Sequence, residues 1–184
     1  LSWYDNNKRI LPWRISQKSQ KKHYYRILSE FMLQQTQVKT VIPYFKNFVK
    51  KIPNLKALSR THEKRVLKLW EGLGYYTRAK NLHKTSKILI QKYDGKIPES
   101  FNLLKELPGI GDYTANVLLA LVYNQPRIAI DGNVKRVFFR LFKTNTEENL
   151  NLFKTERNGD LAEALMEFGA LICKPRDPMC NECK

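Results

Sequence analysis

Two acidic residues occupy positions from which a carboxyl group could do chemistry. Glu30 lies on a predicted helix over His23–Val38, where it shares one stripe with Gln34 and Gln37 beside the apolar face. Partial burial at such an edge favours the neutral form of a carboxyl group, which a general acid requires. The simpler interpretation is a structural glutamate at the border of the core.

Asp131 follows the apolar run Ile128-Ala-Ile and immediately precedes a second predicted helix, Gly132–Phe142. This position predicts an N-cap, in which the side chain accepts a hydrogen bond from a main-chain amide of the first turn. The helix dipole also favours the ionised carboxylate there, which could stabilise a developing positive charge. Capping and catalysis are therefore compatible at this residue.

The segment Leu107-Pro-Gly109-Ile-Gly111 connects two apolar-periodic helices. Its glycines allow a tight turn, and amides at the start of the next helix could hold a phosphate group. An ordinary helix–helix connection is the alternative. The chain has 33 Lys and Arg against 17 Asp and Glu, a net charge of +16, which favours the phosphate interpretation and a polyanionic partner.

Composition narrows the class of partner. The chain has 184 residues, of which 42% are hydrophobic, so it can bury its own core. No apolar run is long enough to span a membrane or to act as a signal peptide. Basic residues are spread along the whole chain, which favours nucleic acid over a membrane surface. We expect a monomeric cytoplasmic protein associated with a bacterial nucleoid.

All three cysteines, Cys173, Cys180 and Cys183, lie near the C-terminus. This distribution argues against a disulfide framework. Their spacing is typical of thiolate metal ligands, and three thiolates need a fourth ligand to close a structural site. Zinc completed by a distant histidine and unligated thiols are the alternatives.

Apolar residues recur at helical spacing and strand-like alternation is almost absent, so we predict an all-α fold. Proline and glycine separate the helical segments, and residues 143–158 are predicted as a loop or an eroded helix. The predicted helices are His23–Val38, Val41–Lys50, His62–Trp70, Thr77–Tyr93, Phe101–Leu107, Asp112–Tyr123, Gly132–Phe142 and Gly159–Cys173.

Two further connections carry amides or an aromatic ring of the kind that can enter a base stack. They are Gln34-Gln-Thr-Gln37 and Gly72-Leu-Gly-Tyr-Tyr76. A core aromatic beside a tight turn is the alternative interpretation of the second.

Taken in order, these segments resemble the MutY-type adenine DNA glycosylases, in the helix-hairpin-helix superfamily that also contains endonuclease III. The resemblance spans nearly the whole chain. It rests on Trp3-Tyr4, Leu11-Pro-Trp-Arg14, Met32-Leu-Gln-Gln-Thr-Gln37, Val41-Ile-Pro-Tyr-Phe45, Gly72-Leu-Gly-Tyr-Tyr76, Arg78-Ala79, Asn81-Leu82 and Asp131-Gly-Asn-Val-Lys-Arg-Val137.

The resemblance implies a base excision repair enzyme that acts on double-stranded DNA. It would hydrolyse the N-glycosidic bond of adenine mispaired with 8-oxoguanine or guanine, after the adenosine is flipped out. Glu30 would protonate the leaving adenine and help to activate water, and Asp131 would stabilise the oxocarbenium-like sugar or bond to it transiently. Tyr113 stands where endonuclease III-like lyases carry a lysine, so a monofunctional glycosylase is implied, with Asn133 supporting the water or Asp131.

Other roles are carried over position by position. The adenine pocket would include Leu11, Trp13, Arg14 and Glu163; Gln35 and Tyr75 would enter the duplex, and Thr36 and Leu73 would contact the 8-oxoguanine side. The hairpin residues Leu107, Gly109 and Gly111 would hold a phosphate, helped by a bound monovalent cation. Cys173, Cys180 and Cys183 match the first three ligands of a [4Fe-4S] cluster, with the fourth expected beyond Lys184.

The implied fold is the helix-hairpin-helix glycosylase fold, with DNA in a cleft between two helical lobes. One lobe of six helices is expected at 21–130, and the other at 1–20 plus 131–184 with the iron-sulfur motif. From the family pattern we expect three departures: a small insertion between Arg14 and Glu30, a short segment between Phe142 and Gly159, and no Nudix-like domain within this sequence. A bifunctional endonuclease III-like enzyme and a non-catalytic helix-hairpin-helix DNA-binding module are the alternatives.

Overall fold

A computed structural model of the chain describes residues 1–15, 21–143 and 155–183. These residues form α-helices, one short 3-10 helix at Cys180–Glu182 and no strand, which confirms the predicted all-α fold. The predicted insertion after Arg14 and most of the short segment after Phe142 lie outside the described residues. The helices are α1 (Ser2–Asn7), α2 (Lys22–Leu33), α3 (Val38–Lys51), α4 (Leu55–Arg60), α5 (Glu63–Trp70), α6 (Tyr76–Tyr93), α7 (Phe101–Lys105), α8 (Asp112–Tyr123), α9 (Gly132–Phe142) and α10 (Asn158–Leu171).

The predicted C-terminus of the first helix, at Val38, is wrong. The helix α2 ends at Leu33, and Gln35 has a left-handed backbone with φ of 55°. Gln34 is the C-cap of α2 and Gln37 is the N-cap of α3, so neither shares a helical stripe with Glu30. The physical reason is that a buried arginine of α6 donates hydrogen bonds to the last carbonyl groups of α2, as described below.

The chain divides into two compact units: a central unit, Ile10–Gly111, and a terminal unit, Leu1–Arg9 with Asp112–Lys184. This division differs from the predicted lobes because α8 packs against α10 and therefore groups with the terminal unit. In the described part of the chain no helix combines the length and the apolar character that crossing a bilayer requires.

In the central unit, α2 packs against α3 and α6, while α4 and α5 pack against α6. Aromatic side chains fill the interior of this unit. Phe31, Phe45, Phe48 and Trp70 are fully buried, and the rings of Phe48 and Trp70 meet edge to face with centroids 6.2 Å apart. This core fixes the end of α2, where Glu30 lies.

In the terminal unit, α10 packs against α8 and α9. Val134 and Phe138 of α9 and Leu165 of α10 form the buried centre of this contact. Two glycines of α10 allow the close approach: a Cβ on Gly159 would lie 2.8 Å from the Ala120 carbonyl oxygen, and one on Gly169 would lie 2.6 Å from the Asn133 Cβ. Packing therefore fixes the N-terminus of α9, where Asp131 lies.

Candidate functional site

In the central unit, Glu30 lies in the last turn of α2 and is 7% exposed, so its predicted burial is confirmed. The turn that follows connects α2 to the hairpin, because Gln34 Nε2 donates a hydrogen bond to the Gly109 carbonyl oxygen at 3.2 Å. Gln35 is exposed and Thr36 is half-buried in this turn. The structure thus brings the Gln-Gln-Thr segment and the hairpin together.

The hairpin turn is built on Gly109, which has φ of 80°. A Cβ here would lie 2.8 Å from Phe31 Cε1 and 2.9 Å from Asn81 Cβ, so the main chain is packed tightly against α2 and α6. Leu107 is buried and its carbonyl oxygen accepts a hydrogen bond from the Ile110 amide at 3.1 Å. Gly109 and Gly111 are exposed, as a phosphate-binding turn requires.

The turn before α6 presents an aromatic ring to solvent. Tyr75 is 63% exposed and has φ of 48°, whereas Leu73 is buried. The alternative of a core aromatic therefore does not hold for Tyr75.

Sequence reasoning gave no role to Arg78, the residue that organises both turns. Its guanidinium donates hydrogen bonds to the Met32 carbonyl oxygen at 2.8 Å and to the Gly74 carbonyl oxygen at 3.1 Å. Burial lowers the pKa of this guanidinium from its ordinary value. A signal was present, because Arg78 has the helical spacing of the buried residues Leu82 and Thr85.

The N-terminal pocket candidates also lie in the central unit. Leu11 and Trp13 are buried, and the Trp13 ring packs edge to face against Phe45 with centroids 5.3 Å apart. The Arg14 amide donates a hydrogen bond to the Leu11 carbonyl oxygen at 3.0 Å, which closes a turn. The structure therefore groups these three candidates around one turn.

In the terminal unit, Asp131 is the N-cap of α9, which confirms the capping prediction. Asp131 Oδ1 accepts a hydrogen bond from the Val134 amide at 2.7 Å, and Oδ2 accepts one from Asn133 Nδ2 at 2.8 Å. Donors to both oxygens fix the orientation of the carboxylate.

A hydrogen-bonded chain continues from this carboxylate through Arg136. Arg136 Nη2 donates to Asn133 Oδ1 at 2.8 Å and to the Gly169 carbonyl oxygen at 2.7 Å. Arg136 Nε donates to the Cys173 carbonyl oxygen at 2.7 Å. The segment that carries the first cysteine is therefore connected to Asp131 through two side chains.

Two other candidates of the terminal unit have neighbours on α10. Tyr113 is half-buried, and its hydroxyl donates to Met166 Sδ at 3.4 Å. Glu163 is 6% exposed, and its Oε2 accepts a hydrogen bond from the hydroxyl of the buried Tyr4. The side chain of Glu163 is thus held in one orientation.

The cysteines follow α10 as free thiols, with Cys173 half-buried and Cys180 and Cys183 exposed. Arg140 Nη1 donates a hydrogen bond to Cys173 Sγ at 3.5 Å. Across residues 1–15, 21–143 and 155–183, no three His, Cys, Asp or Glu side chains are arranged to hold a metal ion. The thiols suit a soft metal, but those described do not form a ligand set.

Comparison with known proteins agrees with this geometry. The chain is 44% identical to an adenine DNA glycosylase of Buchnera aphidicola subsp. Baizongia pistaciae (strain Bp), and the alignment covers 100% of this chain and 54% of that relative. The chain therefore spans about half the length of this relative. The sequence resemblance to adenine DNA glycosylases is confirmed.

Solved structures share the fold. A thermostable thymine-DNA glycosylase superposes with a TM-score of 0.86 at 25% identity, covering 99% of this chain and 88% of that chain. A non-covalent endonuclease III–DNA complex gives a TM-score of 0.78 at 24% identity, covering 92% of this chain and 83% of that chain. Residues 28–158 match the family described as HhH-GPD superfamily base excision DNA repair protein. The chain is a member of the HhH-GPD superfamily of base excision DNA repair proteins.

Proposed function

We propose that the chain is the catalytic part of a monofunctional adenine DNA glycosylase. Its substrate is double-stranded DNA in which adenine is mispaired with 8-oxoguanine or guanine. The reaction breaks the bond between C1′ of the sugar and the adenine nitrogen, and water supplies a hydroxyl group to C1′ and a proton to the base. The similarity to a protein named adenine DNA glycosylase supports the choice of base.

The observation that carries this proposal is the doubly hydrogen-bonded carboxylate of Asp131. Loss of the base leaves positive charge on the sugar, and a fixed anion lowers the free energy of that transition state. The side chain needs no reorganisation because Asn133 and the Val134 amide already orient it. A residue that only caps a helix needs the hydrogen bond from the Val134 amide but not the second one, from Asn133.

Glu30 supplies the complementary acid. Its burial at the end of α2 suits a carboxyl group that donates a proton to the departing adenine and then helps to activate water. We assign contacts with the flipped adenine to Leu11, Trp13, Arg14 and Glu163, entry into the duplex to Gln35 and Tyr75, and contacts on the 8-oxoguanine side to Thr36 and Leu73.

Tyr113 favours the monofunctional reaction over a lyase. A phenol cannot form the Schiff base with C1′ that strand cleavage by this route requires. Its hydroxyl donates to the thioether sulfur of Met166. Borohydride should therefore trap no covalent protein–DNA complex with the wild-type chain, and efficient trapping would favour the endonuclease III-like alternative.

The DNA backbone is held by the hairpin turn and by the charge of the whole chain. Leu107, Gly109 and Gly111 provide the phosphate-binding turn, with a monovalent cation at the same place. Because the net charge of +16 is distributed along the sequence, the affinity for DNA should fall steeply as the salt concentration rises.

We propose that Cys173, Cys180 and Cys183 are three ligands of a [4Fe-4S] cluster, which would draw the three thiols into a ligand set that they do not form in this structure. Cysteine sulfurs are the ligands that this cluster takes, and the cluster would hold the segment after α10. Iron and acid-labile sulfide content, measured on wild-type protein and on Cys173→Ser, tests the assignment.

Single-turnover release of adenine tests the function. The substrate is a duplex with one adenine opposite 8-oxoguanine, and the comparison duplex has the same adenine opposite thymine. We expect release from the mispair alone, with a loss of about 100- to 10,000-fold in Glu30→Gln. Glu99→Gln, an exposed acid of the same unit, is the matched control and should retain the wild-type rate. Tight binding without release would favour the non-catalytic DNA-binding module.

A further inference from the structure

Two exposed residues of the central unit share an unusual backbone conformation. Gln35 has φ of 55° and Tyr75 has φ of 48°, although neither is a glycine. Side chains disfavour the left-handed region, so such residues persist only where their surroundings fix them. The proposed function assigns both residues to the same task, entry into the duplex.

Arg78 binds the residues on both sides of Gln35, through the main chain of one and the side chain of the other. Arg78 Nη1 donates to the Gln34 carbonyl oxygen and, at 3.0 Å, to Thr36 Oγ1. It also donates to the Met32 carbonyl oxygen at 2.8 Å. These carbonyl groups end α2, where they lack partners within the helix and where the dipole favours a cation.

The other nitrogen of the same guanidinium binds the turn that leads to Tyr75. Arg78 Nη2 donates to the Leu73 carbonyl oxygen at 3.2 Å and to the Gly74 carbonyl oxygen at 3.1 Å. Arg78 Cζ lies 5.3 Å from the centroid of the Tyr75 ring, within the range of a cation–π contact. The ring of buried Trp70 also lies beside this group, 5.6 Å from Cζ.

We propose that Arg78 is a positioning residue that fixes Gln35 and Tyr75 relative to each other, so that the two side chains enter a DNA duplex as one unit. The inference rests on the proposed function. A lysine could not replace Arg78, because binding two turns at once uses the planar fork of the guanidinium, whereas an ammonium is a single point of charge.

Hydrogen exchange of the free protein tests the positioning without DNA. The amides of Gln34, Thr36 and Leu73 lie in the two turns and donate to the carbonyl oxygens of Glu30, Leu33 and Trp70, so their exchange reports on the turns separating from the ends of α2 and α5. In Arg78→Lys we expect the amide hydrogens of residues 33–37 and 72–76 to exchange about fivefold faster or more than in wild type. Both segments should change, because one side chain binds both. Arg60→Lys, at an exposed arginine of α4, is the matched control and should leave both segments unchanged.

Adenine release then tests whether the positioning matters for function. Arg78→Lys should slow single-turnover release roughly 10- to 100-fold at saturating DNA. In the background Gln35→Gly with Tyr75→Gly, nothing remains to be positioned, so adding Arg78→Lys should change the rate by less than about twofold. A purely structural arginine would cause the same loss in both backgrounds, and that result would overturn the proposal.

A second variant covers the case in which Arg78→Lys does not fold. Tyr75→Gly removes the ring from the guanidinium while leaving Arg78 in place, so exchange in residues 33–37 should rise through the shared arginine. Unchanged exchange there would contradict the inference. If wild-type protein releases no adenine while the two segments still respond together, the proposed function fails and the positioning by Arg78 stands.

Discussion

The side-chain amide of Asn133 donates a hydrogen bond to the carboxylate of Asp131 at 2.8 Å, and the same amide accepts one from Arg136 at 2.8 Å. Asn133 therefore stands between the carboxylate and the guanidinium that binds the Cys173 carbonyl oxygen. Because Asp131 is also the N-cap of α9, its structural and chemical roles share one side chain and must be separated by choice of substitution.

Asp131→Asn separates the two roles. Asparagine keeps the cap through the hydrogen bond from the Val134 amide, but its Nδ2 would face the Asn133 donor, so we expect a loss of no more than about 1 kcal/mol in the free energy of unfolding. The fixed negative charge is lost, so adenine release should fall about 100-fold or more. Urea unfolding and single-turnover release measure the two effects.

Asp131→Ala is the companion variant, because it removes the cap as well as the charge. It should lose about 2 kcal/mol of stability, more than Asp131→Asn, in addition to the activity. Wild-type release by Asp131→Asn would show that the residue only caps α9.

Gly169→Ala tests whether the contact between α9 and α10 orients Asn133. An added Cβ would lie 2.6 Å from Asn133 Cβ and 3.1 Å from its main chain, so the start of α9 must move. We expect a loss of about 1–3 kcal/mol in the free energy of unfolding and slower adenine release. Gly132→Ala is the control, since a Cβ there meets no atom within 4 Å. Equal stability of the two variants would contradict the packing argument.

Helix boundaries were predictable where the signal is local. The ends of α8 and α9 agree with the prediction, because Gly111 precedes the first helix and the Asp131 cap opens the second. The end of α2 was not predictable, because Arg78 of a different helix binds the turn. The helices α1 and α4 have six residues each, too few for a periodic pattern to be recognised.

The same distinction holds for the candidate site. Capping by Asp131 follows from its neighbours in sequence, whereas the contact of Glu163 with Tyr4 joins opposite ends of the chain. No spacing rule connects residues at such distance. The resemblance to a family pointed to Glu163 as a site residue, but only the structure gives the hydroxyl that holds it.

The two glycines of the hairpin differ in backbone conformation and in the space available for a side chain. Gly109 has φ of 80° and a Cβ there would lie 2.8 Å from Phe31 Cε1, so Gly109→Ala should lose about 2–4 kcal/mol of stability. A Cβ on Gly111 meets nothing within 4 Å, so Gly111→Ala should be within about 1 kcal/mol of wild type. Thermal or urea unfolding measures both.

DNA binding distinguishes the two glycines further. If the turn amides hold a phosphate, the added methyl group of Gly111→Ala should weaken binding in the folded protein. Unchanged affinity over a range of salt would remove Gly111 from the phosphate contact.

His23 makes the stability of the central unit dependent on pH. Its Nδ1 accepts a hydrogen bond from the Ile97 amide at 3.0 Å, which requires an unprotonated nitrogen. Burial, followed by the charges of Lys22 and Lys96, lowers the pKa of His23 from 6.5 to about 4. The unfolded chain therefore binds more protons than the folded chain between these values, so the free energy of unfolding should decrease as pH falls from 6.5 towards 4.

His23→Asn isolates this contribution, since an amide oxygen can accept the Ile97 hydrogen bond without titrating. The shift corresponds to at most about 3 kcal/mol, and partial exposure of the ring reduces the expected effect to about 1–2 kcal/mol. Urea unfolding at pH 7 and at pH values down to about 4.5 should therefore show a smaller decrease in the variant than in wild type. His62→Asn, at an exposed histidine that caps α5, is the matched control and should keep the wild-type decrease. The same decrease in wild type and in His23→Asn would mean that the hydrogen bond to Ile97 does not keep His23 neutral.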